Sequence, residues 1–179
     1  MKRIVLILML LPVSLMAQEI KWMSLAEALE AQKKEPRKIM MDVYTNWCGP
    51  CKMMDKNTFA NPDVAAYVGK YFYAVKFNAE GNEKINYQGK EFVNTNYNPE
   101  HANKRSYQHP FAAFMRIEGY PSMVFLDEKG DFISPITGYR TPRQLEVYLK
   151  VFQTDAYKTI NTAEDWQSFQ ESFVSEFND

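Results

Sequence analysis

The chain has 179 residues, 46% hydrophobic and 24% charged, with a net charge of −1. These ordinary globular proportions exclude disordered, collagenous and low-complexity classes and leave room for one domain with a sizeable core. No basic excess exists to neutralise a phosphate backbone, which argues against nucleic-acid binding, and two cysteines cannot build a disulfide-rich scaffold or, alone, a four-ligand zinc site.

Lys2 and Arg3 precede an apolar run from Ile4 to Val13, and Ser14-Leu15-Met16-Ala17 leads into the polar Gln18-Glu19. This is the layout of a secretory signal over residues 1–17, and it is shorter than the roughly 20 apolar residues of a membrane-spanning helix. An uncleaved anchor or a buried N-terminal strand is the competing reading. Cleavage after Ala17 leaves one domain over 18–179, with 19 basic against 22 acidic residues. Export places the thiols in an oxidising compartment, periplasmic or otherwise outside the cytosol, with no stable membrane insertion after cleavage.

Ser24 and Glu27 form a capping box, followed by helical spacing to Glu35-Pro36. Ile39 to Tyr44 reads as a buried strand with one acid, Asp42, inside it. Trp47-Cys48-Gly49-Pro50-Cys51 follows and opens a helix through Lys56. Asn61-Pro62 starts another helix, ending near Gly69. Tyr71 to Phe77 is a second buried strand, again with one charge, Lys76.

Residues 81–109 hold six asparagines, three tyrosines and both histidines, with little apolar periodicity. A connection of that length is usually functional or mobile. A turn at Tyr87-Gln88-Gly89-Lys90 can form a small hairpin within it. Beyond it, Pro110 to Ile117 reads as a helix, Ser122 to Leu126 as a strand and Phe132 to Thr137 as its hairpin partner. Thr141-Pro142 caps a helix with Leu145, Tyr148, Leu149 and Phe152 on one face. A last helix from Thr162 is expected to carry Trp166, Phe169, Phe173 and Phe177, making residues 155–179 a helical extension. The order predicts an α/β layer sandwich, a central mixed sheet with helices on both faces.

A C-x-x-C pair where a strand runs into a helix has a specific physical meaning. Cys48 falls at the helix N-terminus, where unpaired N–H groups favour a thiolate and make it an accessible nucleophile. Cys51 lies nearly one turn on, placed to attack a mixed disulfide and release product. Pro50 sits in the first turn, where its missing N–H costs nothing, and Gly49 leaves the approach uncrowded. His101 and His109 lack ligand spacing, so no metal is expected. A structural disulfide would constrain only a short loop. Asp42 either points to solvent at the strand end or lies buried beneath the cysteines, where a raised pKa would let it take a proton from Cys51. Lys76 is its natural partner on the next strand.

The segment Asp42-Val43-Tyr44-Thr45-Asn46-Trp47-Cys48-Gly49-Pro50-Cys51-Lys52 resembles the active-site segment of thioredoxins. Lys76 in Val75-Lys76-Phe77-Asn78, the loop Tyr120-Pro121-Ser122 and Gly138 match further family positions, and the spacing around Thr58 to Val64 is most similar to exported thioredoxin-like proteins and to the periplasmic C-terminal domain of the transmembrane thiol-disulfide reductase. The resemblance covers about residues 24–153. It implies a thioredoxin fold with a long insert and an extra C-terminal helix, a cis bond before Pro121, and a substrate strand received beside Trp47, Gly49, Pro50, Tyr120 and Pro121. It also implies a redox-active Cys48–Cys51 pair without other cofactor, protein disulfides as substrates and a membrane-embedded thiol donor. A Gly-Pro pair between the cysteines is similar to the reducing members. An oxidase or isomerase with the same residues, and a non-catalytic module acting through residues 81–109, stay open. Asn46 stands where thioredoxins commonly carry an acid.

Overall fold

The computed structural model describes residues 19–179; the expected signal segment lies outside them. Strands β1 (Trp22–Met23), β2 (Lys38–Tyr44), β3 (Phe72–Asn78), β6 (Ser122–Leu126) and β7 (Phe132–Thr137) form one sheet in the order β1-β3-β2-β6-β7. The β1–β3 and β2–β3 pairs are parallel, and β2–β6 and β6–β7 are antiparallel. A separate hairpin, β4 (Ile85–Tyr87) and β5 (Lys90–Phe92), lies within the long insert. The helices are α1 (Leu25–Gln32), α2 (Gly49–Met54), α3 (Pro62–Tyr71), α4 (Pro110–Phe114), α5 (Pro142–Gln153) and α6 (Ala163–Ser172). This mixed sheet between helical layers is the fold the sequence predicts.

Each layer follows from side-chain alternation on β2, whose residues are buried on both faces. Ile39, Met41 and Val43 point to one side, where α1, α4 and the β4–β5 hairpin pack on them. Met40 points to the other side, against Met54 of α2, Val64 and Val68 of α3, and Leu145 and Leu149 of α5. Asp42 shares the parity of Met40 and therefore lies on that second face, beneath the segment that carries the cysteines. Burying each of the large apolar side chains contributes about 1.5–3 kcal/mol, enough to absorb one isolated acid in the strand.

Helix starts follow local chemistry. Ser24 accepts from Glu27 N–H while the Glu27 carboxylate accepts from Ser24 N–H at 2.8 Å. Asn61 caps α3 through its side-chain oxygen, with Pro62 in the first turn. The Thr141–Gln144 box caps α5. After α2 the chain continues as a π-helical turn over Asp55–Phe59.

Three differences from the sequence reading stand out. The insert is no loose loop, because Ile85, Tyr87 and Phe92 are buried and cluster with Phe111. His109 is fully buried and caps α4, accepting from Phe111 N–H through Nδ1 at 3.0 Å and donating through Nε2 to the Glu83 carbonyl at 2.8 Å; burial holds its pKa below the usual value. The last helix stops at Ser172, so Phe177 is not on its face. The tail turns back instead, and Phe177 packs edge-on against Tyr67 with ring centroids 5.7 Å apart. It is held there by the buried Glu146 carboxylate, which accepts from Glu176 and Phe177 N–H and pairs with Lys150 at 2.7 Å.

Candidate active site

The site grows from the end of β2. Cys48 is the N-cap of α2 and its Sγ accepts the Cys51 N–H at 3.1 Å. Pro50 sits in the first turn, where no N–H is missed. Cys48 and Cys51 are joined as a disulfide, with Cα atoms 5.3 Å apart. Gly49 and Pro50 are exposed above it, and a Cβ added to Gly49 would meet nothing within 4 Å. In this oxidised state Cys48 is only 2% exposed and Cys51 4%. The sulfur expected to be open is thus a sheltered one in this state.

Beneath lies a charged trio. Asp42 and Lys76 are register partners on the parallel pair β2–β3, and Lys76 Nζ is 3.6 Å from Asp42 Oδ2. Lys76 bonds more closely to Asp55, the first residue of the π-helical turn. Asp42 is 2% exposed, and burial pushes its carboxyl up to about 7; the Asp55 charge adds to the rise and Lys76 opposes it. Asp42 Oδ1 and Thr45 Oγ1 are buried without a protein partner. The aromatic faces of Trp22 and Tyr44 each lie 5.2 Å from Lys76 Nζ. The arrangement can hold one proton near neutral pH and pass it along a short path that reaches the surface at Asp55.

Trp47 forms one wall. Its Nε1 donates to Glu80 Oε2 at 2.7 Å, its ring meets Tyr120 edge-on at 6.1 Å, and the Arg105 guanidinium lies 4.9 Å from the ring centroid. The same Glu80 oxygen accepts Ser106 N–H at 2.9 Å, and Asn46 Nδ2 donates to the Ala102 carbonyl at 2.9 Å. Residues 102–106 therefore run as a strap beside the disulfide. Asn103 from the strap, Cys51, Lys52 and Asp55 line a cleft of about 380 Å³. Next to Trp47 the Tyr120–Pro121 peptide bond is cis, Gly138 N–H donates to the Pro121 carbonyl at 2.8 Å, and Gln108 Nε2 donates to Tyr120 Oη at 3.3 Å.

The structure thus brings Asp42 and Lys76 together; Trp47, Gly49 and Pro50 flank the cysteines in the chain, and Tyr120 packs on Trp47 with Pro121 adjoining it. Sequence reasoning missed Asp55, Glu80 and Arg105. Asp55 is one of several charges after Cys51, and nothing in spacing alone turns it toward Lys76. Glu80 lies two residues beyond the end of β3, which was a usable signal. Arg105 lies in a stretch without periodicity and gave none. Among the described residues no cluster of three metal-ligating side chains exists, and no helix is long and apolar enough to cross a membrane.

Comparison with known proteins fits this geometry. A family described as a thioredoxin-like domain matches residues 25–153. The chain is 24% identical over 131 residues to the thiol:disulfide interchange protein DsbD of Pectobacterium atrosepticum, covering 72% of this chain but only 19% of that protein. It is also 24% identical over 115 residues to the disulfide bond reductase DsbH of Chlamydia pneumoniae, covering 64% of this chain and 60% of that protein. The chain therefore spans a fraction of the curated relatives it matches. Among solved structures, a thioredoxin from Thermus thermophilus superposes with a TM-score of 0.56 at 16% identity, over 81% of this chain and 98% of that one.

Proposed function

The chain belongs to the thioredoxin-like domain family, and from that premise we propose that it is an exported thiol-disulfide oxidoreductase that reduces protein disulfides. The observation carrying this reading is the Cys48–Cys51 pair at a helix start, above a buried acid whose carboxyl is pushed up to about 7.

In the reduced form the Cys48 thiolate, favoured by the α2 N–H groups, attacks one sulfur of a substrate disulfide. The other substrate sulfur leaves as a thiolate and takes a proton from solvent. Asp42, as a carboxylate steadied by Lys76, accepts the Cys51 proton and becomes the neutral acid, leaving Cys51 as a thiolate. Cys51 then attacks Cys48 Sγ, the intermolecular bond breaks and the second substrate thiolate departs. Two electrons have passed to the substrate, and the Cys48–Cys51 disulfide is left. The chemistry uses the chain's own sulfurs and calls for no further cofactor. Trp47, Gly49, Pro50, Tyr120 and Pro121 form the surface that receives the substrate strand.

Direction rests on Gly49-Pro50. No side chain between the cysteines donates to the thiolate, which suits a reducing potential. Reducing and oxidising extremes of such pairs differ by about 150 mV, or about 7 kcal/mol for two electrons, enough to set the flow. The basic and apolar start of the chain supports export to the periplasm or its equivalent. There the disulfide has to be re-reduced by a membrane-embedded dithiol donor, because no glutathione buffer operates.

Cys51→Ala tests the scheme. The variant should accumulate a mixed disulfide on Cys48 whose partner is read by mass spectrometry; no accumulation in the native compartment would sink it. A measured potential near about −120 rather than −270 mV would make the protein an oxidase or isomerase. Full biological activity in Cys48→Ser would favour a binding module working through residues 81–109.

A further inference from the structure

The strap beside the disulfide has a use that the exchange chemistry leaves unassigned. It is anchored at Ala102 by Asn46, at Ser106 by Glu80 and within itself by Lys104 N–H donating to the His101 carbonyl at 2.9 Å. Between those anchors it displays Lys104 and Arg105, both exposed. Arg105 lies over Trp47; a guanidinium stacked on a ring keeps its in-plane N–H fork free for a carboxylate. Lys52, exposed on α2, lines the same cleft as Asn103 and Cys51. None of these three cations has an ion-pair partner among the described residues.

Among the described residues no nearby acid forms an ion pair with them: Glu80 keeps its charge but accepts from the neutral Trp47 indole and Ser106 amide, and Asp55 is paired with Lys76. Glu100 and Glu118 are exposed acids of the flanking chain, outside the 102–106 run.

We infer that Lys52, Lys104 and Arg105 form a cationic docking shelf for a protein substrate that carries aspartate or glutamate within one or two residues of its reacting cysteine. This rests on the reductase reading above. Two residues of extended chain span about 7 Å. Trp47 immediately precedes Cys48 in the chain, so a carboxylate that close to a sulfur joined to Cys48 lies on the same side of the site as the guanidinium over Trp47. Complementary charge of this kind raises the encounter rate and rejects partners of the wrong sign more than it deepens the final affinity.

The test measures exchange by the reduced full chain with two quenched-fluorescence disulfide peptides, identical except for Asp-Asp or Lys-Lys beside the cysteine. Hydroxyethyl disulfide is the uncharged reference, and each peptide rate is divided by that reference rate in the same variant. At about 20 mM ionic strength the Asp peptide should react about tenfold faster than the Lys peptide, and at about 0.3 M salt the preference should shrink severalfold. The double variant Lys104→Glu, Arg105→Glu should abolish or invert the preference. Lys52→Glu, on a different element, should lower it in the same direction and decides the matter if the strap variant does not fold. Equal rates for the two peptides in the unsubstituted chain, or a preference untouched by both variants, overturns the shelf. If hydroxyethyl disulfide is not reduced either, the reductase reading itself has failed and the shelf falls with it.

Discussion

Replacing Asp42 by asparagine isolates the energetic cost of keeping an acid beneath the cysteines. In the folded, oxidised chain burial raises this carboxyl from 3.8 to about 7. Folded protein therefore keeps the proton over a range where the unfolded chain has released it. Stability is fully present below the unfolded value and is lost as pH climbs toward 7, at up to about 1.4 kcal/mol per pH unit and about 4 kcal/mol in all. Asparagine carries no charge at any of these pH values, so that slope disappears. It does leave a buried amide, because Asp42 Oδ1 already lacks a protein partner, and this costs about 1–2 kcal/mol. Lys76 is not orphaned, since Asp55 still holds it. The variant should therefore be more stable than the parent by about 2 kcal/mol at pH 8 and less stable by about 1–2 kcal/mol at pH 4. Urea unfolding of both proteins between pH 4 and 9, with the disulfide intact, measures the difference directly. Parallel stability curves, or a variant weaker at every pH, would refute the account of Asp42 as a strained buried acid.

Phe111→Ala removes the ring on which Phe77, Tyr87 and Phe92 converge; a loss of about 3–5 kcal/mol is expected on urea unfolding, with early proteolysis inside residues 81–109. Glu146→Ala should cost about 3 kcal/mol, because two tail N–H groups and the Ser175 hydroxyl lose their acceptor and Lys150 keeps only Glu176, and limited proteolysis should then cut beyond Phe173. In the parent, burial pushes the Glu146 carboxyl up, but Lys150, Ser175 and the tail N–H groups more than offset it and hold the pKa below its usual range. Its contribution is therefore present above about pH 4.3 and fades as pH falls through the lowered folded value, which a comparison of acid unfolding in the two proteins reads. Glu80→Ala frees the Trp47 indole and the Ser106 N–H together. Exchange with protein disulfides should slow about tenfold, the effect of misplacing a substrate-positioning group. Reduction by small thiols should slow far less, and equal slowing of both would contradict a positioning role.

The parts of this molecule that were readable in advance are those where one local rule decides the outcome. The capping residues Ser24, Asn61 and Thr141 act on donors two or three residues away, and the β2 and β3 strands announce themselves by apolar runs broken by a single charge each, Asp42 and Lys76. Cys48 at a strand-to-helix junction is of the same kind. Long-range choices were not readable. The two-residue strand β1 is too short to show a period, and it exists only because β3 offers an edge. Phe177 continues the helical spacing of Trp166 and Phe169, yet the Glu146 carboxylate draws the tail out of that helix. Asp55 turns toward Lys76 where the helix widens into a π-helical turn, a change no propensity forecasts. The strap depends on Asn46 and Glu80 accepting or donating across more than 25 positions, so its polar composition read as solvent-facing loop.

The short strand at Trp22 has a practical corollary for anyone measuring this protein. Glu19, Ile20 and Trp22 line one open cleft together with Asp55 and Lys76. The first few residues after the apolar start are thus part of the dielectric surroundings of the proton-carrying group. Where an expressed version begins is consequently an electrostatic variable. Trimming past Trp22 would wet the lysine, shift the titration of the acid below the cysteines, and alter redox behaviour without touching a single catalytic side chain.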